Sequence, residues 1–176
     1  MDRRTFLRNL AATTSGLMVP AALAADTTPK DLGRRLLGRT NEQVTLLGIG
    51  GYHVGWTTER DAQEVIETAF EGGVRFFDTA HNYGKGQSET RYGKYLVPRH
   101  RQDIFLMTKS QAPDYQTAKA ELELSLKRLG TDQVDLWQLH SLQSPEDVDA
   151  RIQNGVLRAC EEALSEKKAR YVGFTG

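Results

Sequence analysis

The chain has 176 residues, of which 39% are hydrophobic and 26% charged, and this composition fits one globular domain or part of one while excluding a disordered chain. Its 23 basic and 23 acidic residues give a formal net charge of zero, so nothing in the charge balance indicates a nucleic-acid partner. The single cysteine, Cys160, excludes an internal disulfide framework and a thiolate metal cluster, and it is expected to lie buried in a helix.

The N-terminus carries the pattern of an export signal. Arg3 and Arg4 precede a short apolar segment, residues 10–23, which ends in an A-x-A motif. This pattern predicts a twin-arginine signal peptide over residues 1–24, use of the Tat export machinery, and a periplasmic or exported location. The apolar segment is too short for a stable membrane span. The alternative is a disordered N-terminus with accidental arginines. Residues 25–34 are interpreted as a linker.

Apolar runs organise the chain after the linker. Residues 35–37 and 43–47 predict a small β-hairpin, and residues 46–50 predict the first strand of a larger sheet. Residues 58–70 carry apolar side chains on one face and predict an amphipathic helix. The loop between that strand and the helix is expected to be crowded by glycines, namely Gly48, Gly50, Gly51 and Gly55.

Strand-like and helical segments alternate through the rest of the chain. Residues 74–77 predict a strand that ends in Asp78, after which a turn-rich loop carries Tyr83 and Ser88 is expected to cap the next helix. The later segments are predicted strands at 104–108, 134–139 and 171–174, and predicted helices at 117–129 and 148–167.

This alternation predicts an α/β fold with a parallel sheet, and a period of about 30 residues per unit is typical of a (β/α)8 TIM barrel. Such barrels usually have about 250 residues, so the five units at 35–176 are expected to be a partial, truncated barrel that lacks its C-terminal units. The open barrel edges are then expected to favour self-association.

Three predicted strands end in an ionisable residue at the same relative position. Lys109 lies 31 residues after Asp78, and His140 lies 31 residues after Lys109. Taken singly, these residues could be a loop cap, a surface charge and a core histidine, and Tyr83 could be a packing residue. Because the carboxyl ends of parallel strands meet at one edge of the sheet, the set predicts an active site there.

Three motifs of this sequence resemble the aldo-keto reductase family. They are FFDTAHNYGKGQSETRYGKYL, IFLMTKS and LKRLGTDQVDLWQLH, and the resemblance covers residues 35–176. It implies an oxidoreductase that reduces aldehydes or ketones to alcohols, with NADPH (NADH possible) as cofactor and a small carbonyl compound as substrate. It also implies that the hairpin plugs the barrel floor.

The resemblance assigns a role to each residue of the set. Tyr83 would be the general acid that protonates the developing alkoxide, and the positive charge of Lys109 would make its phenol a better donor. Asp78 would pair with Lys109 and hold its ammonium group. His140 would donate a hydrogen bond to the carbonyl oxygen and orient it.

Cofactor contacts are implied for Gly51, Tyr52, Asp78 and Thr175. Tyr52 stands where the family usually has a small residue, and Thr175 aligns with the usual serine. Two further side chains, His53 and Trp56, could line the substrate mouth or belong to an exposed loop.

A metal site built from His53, His81 and His140 is rejected because no ligand spacing typical of metal sites occurs. Two other functional classes stay open. The chain could be a non-catalytic cofactor-binding or regulatory relative, or it could be an inactive truncated product.

Overall fold

The computed structural model describes residues 31–176. The predicted signal peptide and its cleavage site lie outside these residues, and the domain division at residues 24 and 34 stays a prediction. Five parallel strands form one sheet in the order β3-β4-β5-β6-β7, and two strands form a separate antiparallel hairpin, β1-β2. This order confirms the predicted α/β class with a parallel sheet.

Helices connect successive strands of the sheet, as expected for parallel neighbours. The strands are β1 (Arg34–Leu36), β2 (Gln43–Thr45), β3 (Ile49–Gly50), β4 (Phe76–Asp78), β5 (Phe105–Ser110), β6 (Val134–Leu139) and β7 (Ala169–Phe174). The α-helices are α1 (Gly51–Trp56), α2 (Glu59–Glu71), α3 (Gln87–Tyr95), α4 (Val97–His100), α5 (Tyr115–Leu129), α6 (Pro145–Gln153) and α7 (Val156–Ser165), with short 3-10 turns at Tyr83–Gly86 and Arg101–Asp103.

The sheet buries apolar side chains on both faces, as parallel sheets do. On the helix side, Phe77, Leu106 and Trp137 are fully or almost fully buried in the main core. On the opposite face, Phe105 and Met107 belong to a smaller cluster. Cys160 is buried in α7, as predicted.

The hairpin forms as predicted and is fastened to β7 by polar contacts. The Tyr171 hydroxyl lies 2.8 Å from the backbone oxygen of Thr40 and 2.9 Å from the Glu42 carboxylate. Glu42 also pairs with Arg170. The residue Val44 packs into the smaller apolar cluster of the sheet. The hairpin therefore closes the amino-terminal end of the sheet.

The glycine-rich segment after β3 is a helix and not the predicted loop. Gly55 of α1 lies so close to the Tyr83 turn that an added Cβ would be 2.9 Å from the Tyr83 carbonyl oxygen. The glycines therefore serve the close packing of a short helix, which a prediction based on helix propensity misses.

Two other local predictions are wrong. The single helix predicted over 148–167 is divided into α6 and α7, because Gly155 adopts a left-handed conformation with φ 83° between them. Ser88 does not cap α3. It lies inside the first turn, where its hydroxyl accepts a hydrogen bond from Thr79 at 2.7 Å, and the capping position belongs to Gly86 with φ 89°.

The edges of the described sheet are β3 and β7, and Phe174 at one of them is 70% exposed. Self-association through these edges stays a prediction. Within residues 31–176, no helix is both long and apolar enough to cross a membrane.

Candidate active site

The predicted residues converge at the carboxyl end of the sheet. Asp78 ends β4, Lys109 lies near the end of β5, and His140 directly follows β6. The Lys109 ammonium lies 5.0 Å from the centroid of the Tyr83 ring, and the Tyr83 and His140 rings lie 5.8 Å apart in an edge-on arrangement. The structure therefore brings all four side chains into one cluster.

Lys109 is the most buried charge of this cluster. Its ammonium group forms a short ion pair with Asp78 and donates to the backbone oxygen of Thr79 at 2.9 Å. Burial raises the pKa of the Asp78 carboxyl, and the charge of Lys109 opposes that rise. The two contacts use two of the three ammonium donors, so one donor remains for another partner.

His140 is held from one side by polar contacts. Its Nδ1 lies 2.8 Å from the Thr175 hydroxyl, which also accepts a hydrogen bond from the backbone amide of Ser141 at 2.9 Å. Burial and the nearby charge of Lys109 lower the pKa of His140, so the neutral imidazole dominates at pH 7. The described contact leaves Nε2 available to a ligand.

The contact between Thr175 and His140 is one that sequence reasoning did not predict. The two residues are 35 positions apart, and each was assigned a role only towards substrate or cofactor. The contact of Thr175 with a cofactor stays a prediction.

Tyr83 opens a turn with an unusual backbone. Gly84, Lys85 and Gly86 all adopt left-handed conformations, with φ of 59°, 56° and 89°. A side chain at Gly84 would collide with the backbone of Gly55, so the turn is pressed against α1. This constrained turn fixes the backbone position from which the Tyr83 side chain extends.

Aromatic side chains of α1 extend the cluster outward. The Tyr52 ring lies 5.4 Å from the Tyr83 ring, and Trp56 lies 6.3 Å from Tyr52. Tyr52 and Trp56 are each more than half exposed. Side chains at these positions could contact a ligand. The prediction that His53 and Trp56 line the substrate mouth is not tested by these contacts, and the cofactor contact of Tyr52 also stays a prediction.

Gly51 differs from its exposed neighbour Tyr52. An added Cβ at Gly51 would lie 2.6 Å from the Ser88 hydroxyl and 3.1 Å from the Thr79 Cα atom. The packing of the protein on itself therefore explains the glycine, and its cofactor contact stays a prediction.

Behind the Tyr83 turn lies a buried carboxylate, Glu89, with no exposed surface. It accepts hydrogen bonds from the Thr108 hydroxyl at 2.6 Å and from Arg128 at 3.1 Å. The sequence showed Glu89 only as an acid in the first turn of a helix. Its partner Arg128 is 39 positions away, so no local pattern could identify the pair.

Among residues 31–176, no group of three or more His, Cys, Asp or Glu side chains is placed to hold a metal ion.

Comparison with known proteins gives consistent results. The profile of the aldo/keto reductase family matches residues 46–176. The oxidoreductase YqkF of Bacillus subtilis is 30% identical over 154 residues, covering 81% of this chain and 48% of the relative. L-galactose dehydrogenase of Arabidopsis thaliana is 32% identical over 156 residues, again covering 81% of this chain and 48% of the relative.

Solved structures show the same likeness. The holo form of aldo-keto reductase AKR11C1 from Bacillus halodurans superposes with a TM-score of 0.72 at 33% identity, over 82% of this chain and 50% of that one. An aldo-keto reductase from Klebsiella pneumoniae in complex with NADPH superposes with a TM-score of 0.66 at 25% identity, over 77% of this chain and 47% of that one. The chain thus has the TIM-barrel fold class in part, and it spans about half the length of the curated relatives it matches.

Proposed function

The chain belongs to the aldo/keto reductase family, and on this premise we propose that the whole protein reduces aldehydes or ketones to alcohols with a nicotinamide cofactor. The observation that carries this proposal is the arrangement around Tyr83. Its ring centroid lies 5.0 Å from the Lys109 ammonium and 5.8 Å from the centroid of the His140 imidazole, and Asp78 holds that ammonium. A cation and an imidazole beside the phenol support its assignment as the proton donor.

The proposed roles follow from these contacts. A nicotinamide cofactor, when bound, would supply a hydride for the carbonyl carbon. The Tyr83 hydroxyl gives its proton to the carbonyl oxygen as negative charge develops there, and the Lys109 charge stabilises the phenolate left behind. Water then returns the proton to Tyr83, so the net product is the alcohol.

His140 would orient the carbonyl. If the Thr175 hydroxyl donates to Nδ1, then Nε2 carries the imidazole proton and donates it as a hydrogen bond to the substrate oxygen. The lowered pKa of His140 supports this neutral form. Orientation of this kind supplies part of the rate by holding the reacting atoms in place.

The residues present fit a nicotinamide group. An added Cβ at Gly50, the residue paired with Asp78 across the sheet, would meet nothing within 4 Å, so the backbone there borders open space. The Asp78 side chain is 30% exposed and lines the same cavity as Gly50. We propose that Gly51, Tyr52, Asp78 and Thr175 hold the nicotinamide end of NADPH or NADH. The NADPH complex of the Klebsiella relative supports NADPH as the first cofactor to test.

The proposal is tested with the full-length protein, following NADPH absorbance with a panel of aldehydes. Tyr83→Phe is expected to lower kcat/KM by about 10²–10⁴-fold, the usual contribution of a general acid. Tyr95→Phe is the matched control, because that hydroxyl bonds the exposed Glu59 away from the site. Turnover of Tyr83→Phe within a few-fold of the parent would refute the acid assignment. NADPH binding without turnover would favour a regulatory relative. The absence of both NADPH binding and turnover would favour an inactive product.

We also propose that the protein is exported through the Tat route, because of the paired arginines before a short apolar segment. The protein isolated from its own cells is expected to have the intact mass of a chain without residues 1–24. Replacing Arg3 and Arg4 together by Lys should retain the uncut form in the cytoplasm. An uncut protein in the parent strain would refute this proposal.

A further inference from the structure

Behind the candidate active site, an ion pair between the buried Glu89 carboxylate and Arg128 connects the tyrosine turn to the strand that carries the lysine. We propose that Arg128 and Glu89 are positioning residues, which set the Tyr83 hydroxyl relative to Lys109 without touching substrate or cofactor. The inference rests on the proposed function, because it assigns these residues to the geometry of the same site.

The first step is the anchoring of the turn. The Arg128 guanidinium donates to the backbone oxygen of His81 at 3.0 Å and to the Glu89 carboxylate at 3.1 Å, through the same nitrogen. His81 lies two residues before Tyr83, so this contact holds the chain immediately before the turn. A hydrogen bond to a charged donor is stronger than a neutral one, which suits an anchor.

The second step is the fit of the arginine under the other end of the turn. An added Cβ at Gly86 would lie 2.6 Å from one guanidinium nitrogen of Arg128 and 2.7 Å from another. Gly86 lies three residues after Tyr83, so Arg128 contacts the chain on both sides of the tyrosine. The turn cannot move towards α5 without displacing the guanidinium group.

The third step is the connection to the lysine strand. Thr108 and Ser110, the two neighbours of Lys109, point to the helix side of β5. The Thr108 hydroxyl donates to Glu89 at 2.6 Å, and the Ser110 hydroxyl donates to Glu121 of α5 at 2.6 Å. Both residues that flank Lys109 are therefore bonded to carboxylates.

The second carboxylate also faces the tyrosine turn. The His81 imidazole lies 3.9 Å from Glu121 through Nε2 and 3.4 Å from the Ser125 hydroxyl through Nδ1. The path from Lys109 to Tyr83 thus has two parallel arms, one through Glu89 and Arg128 and the other through Glu121 and His81. The first arm is the more completely bonded, because Glu89 has no exposed surface and both its oxygens have partners.

Removing either charge of the first arm should shift the turn and leave most substrate binding in place. The change should therefore appear in kcat more than in KM. Glu89→Gln is the principal variant, because it keeps the size of the side chain and removes only its charge. Arg128→Met removes the anchor, and Arg128→Lys tests rescue by a side chain that keeps the charge.

The experiment combines steady-state kinetics with NMR of the full-length protein labelled with carbon-13 in its tyrosine rings. The Tyr83 signal is assigned by its loss in Tyr83→Phe. We expect Glu89→Gln and Arg128→Met to shift or broaden the Tyr83 signal, to leave the distant Tyr171 signal unchanged, and to lower kcat about tenfold with KM within about twofold. Arg128→Lys is expected to fall between the parent and Arg128→Met.

Asp135→Asn is the matched control, because Asp135 is also a buried carboxylate paired with arginines, but at the other end of the sheet. It should leave both the Tyr83 signal and kcat unchanged. An unchanged Tyr83 signal and kcat in Glu89→Gln would overturn the inference, and so would equal changes in Asp135→Asn.

Two further outcomes are decisive. If Arg128→Met does not fold, the near-isosteric Glu89→Gln still decides the question. If the parent protein turns over no carbonyl compound, the proposed function fails, while the Tyr83 signal alone still confirms or refutes the positioning.

Discussion

The two ends of the parallel sheet each hold an acid among basic groups, and they use it in opposite ways. At the amino end, the Asp135 carboxylate is 4% exposed. It accepts hydrogen bonds from the backbone amide of Leu106 at 2.8 Å and from Arg170 at 2.7 Å, and it forms an ion pair with Arg101 at 2.9 Å. Every side of this carboxylate is occupied by protein. Such a network can fasten strands and helices, but it has no capacity left for a ligand.

At the carboxyl end, the Asp78 carboxylate is 30% exposed and pairs with a single ammonium group, that of Lys109. The Tyr83 and His140 rings lie 5.8 Å apart beside it, and neither Nε2 of His140 nor the Tyr83 hydroxyl has a hydrogen bond to a described residue. From this difference we expect the amino end, whose carboxylate is fully paired, to contribute mainly to stability, and the carboxyl end to contribute mainly to the proposed reaction.

The largest expected effect comes from Lys109→Met at the unsaturated end. The variant should lower kcat/KM by about a thousandfold, equal to about 4 kcal/mol of transition-state stabilisation, because the charge beside Tyr83 is lost. The free energy of unfolding should fall by less than it does in Asp135→Asn, because the Asp78 carboxylate left without its partner is 30% exposed and keeps access to water.

Kinetics with NADPH and urea denaturation measure the two quantities in one preparation. A large loss of stability with normal turnover in Lys109→Met would show that the carboxyl end of the sheet contributes to stability and not to catalysis.

The opposite pattern is expected for Asp135→Asn at the saturated end. The variant leaves Arg101 and Arg170 without their buried acceptor charge, and the free energy of unfolding should fall by about 3 kcal/mol. Turnover at a temperature where the variant is folded should stay within about twofold of the parent. Urea denaturation measures the first quantity. A fall of kcat in proportion to stability would contradict the expectation that Asp135 contributes to stability and not to turnover.

The sequence predicts one of these two ends much better than the other. Asp78, Lys109 and His140 each follow an apolar run, and parallel strands place such residues together without further information. The Asp135 network depends on Arg101 and Arg170, which are far apart in the chain and belong to no local pattern.

The same limit explains what was missed at the carboxyl end. The anchor Arg128 is far from Glu89 in sequence, and the contact of Thr175 with His140 also joins distant residues. The helix in place of a glycine loop and the division at Gly155 have another cause. Both depend on tight backbone packing or a left-handed conformation, which hydrophobic periodicity does not report.

Glycine substitutions sharpen the comparison between the two ends. Gly84 in the tyrosine turn and Gly38 in the hairpin have similar left-handed conformations, with φ of 59° and 54°. An added Cβ at Gly84 collides with the backbone of Gly55, whereas one at Gly38 meets nothing within 4 Å.

Gly84→Ala should therefore cost about 2 kcal/mol of unfolding free energy and Gly38→Ala about 1 kcal/mol. Only Gly84→Ala should also lower kcat, because it moves the turn that carries Tyr83. Equal costs and equal turnover in the two variants would show that the contact with Gly55 does not constrain the turn.

The smallest expected effect is the pH dependence that His140 contributes to stability. Burial and Lys109 lower its pKa in the folded protein below the ordinary imidazole value of about 6.5, so the unfolded chain binds a proton at His140 more readily than the folded one. Stability rises with pH wherever the unfolded state binds more protons. The contribution of His140 is therefore fully present above pH 7 and declines as the pH falls through the ordinary imidazole range towards the lowered value.

The chain has three other histidines, so the contribution of His140 is measured as the difference between the parent and His140→Gln. Urea denaturation from pH 8 down to pH 5 should show a steeper loss of stability in the parent than in His140→Gln. Identical pH profiles would mean that His140 is as free to ionise in the folded protein as in the unfolded chain. The imidazole would then be partly charged in the working pH range, and its proposed role as a neutral donor to the carbonyl would lose its support.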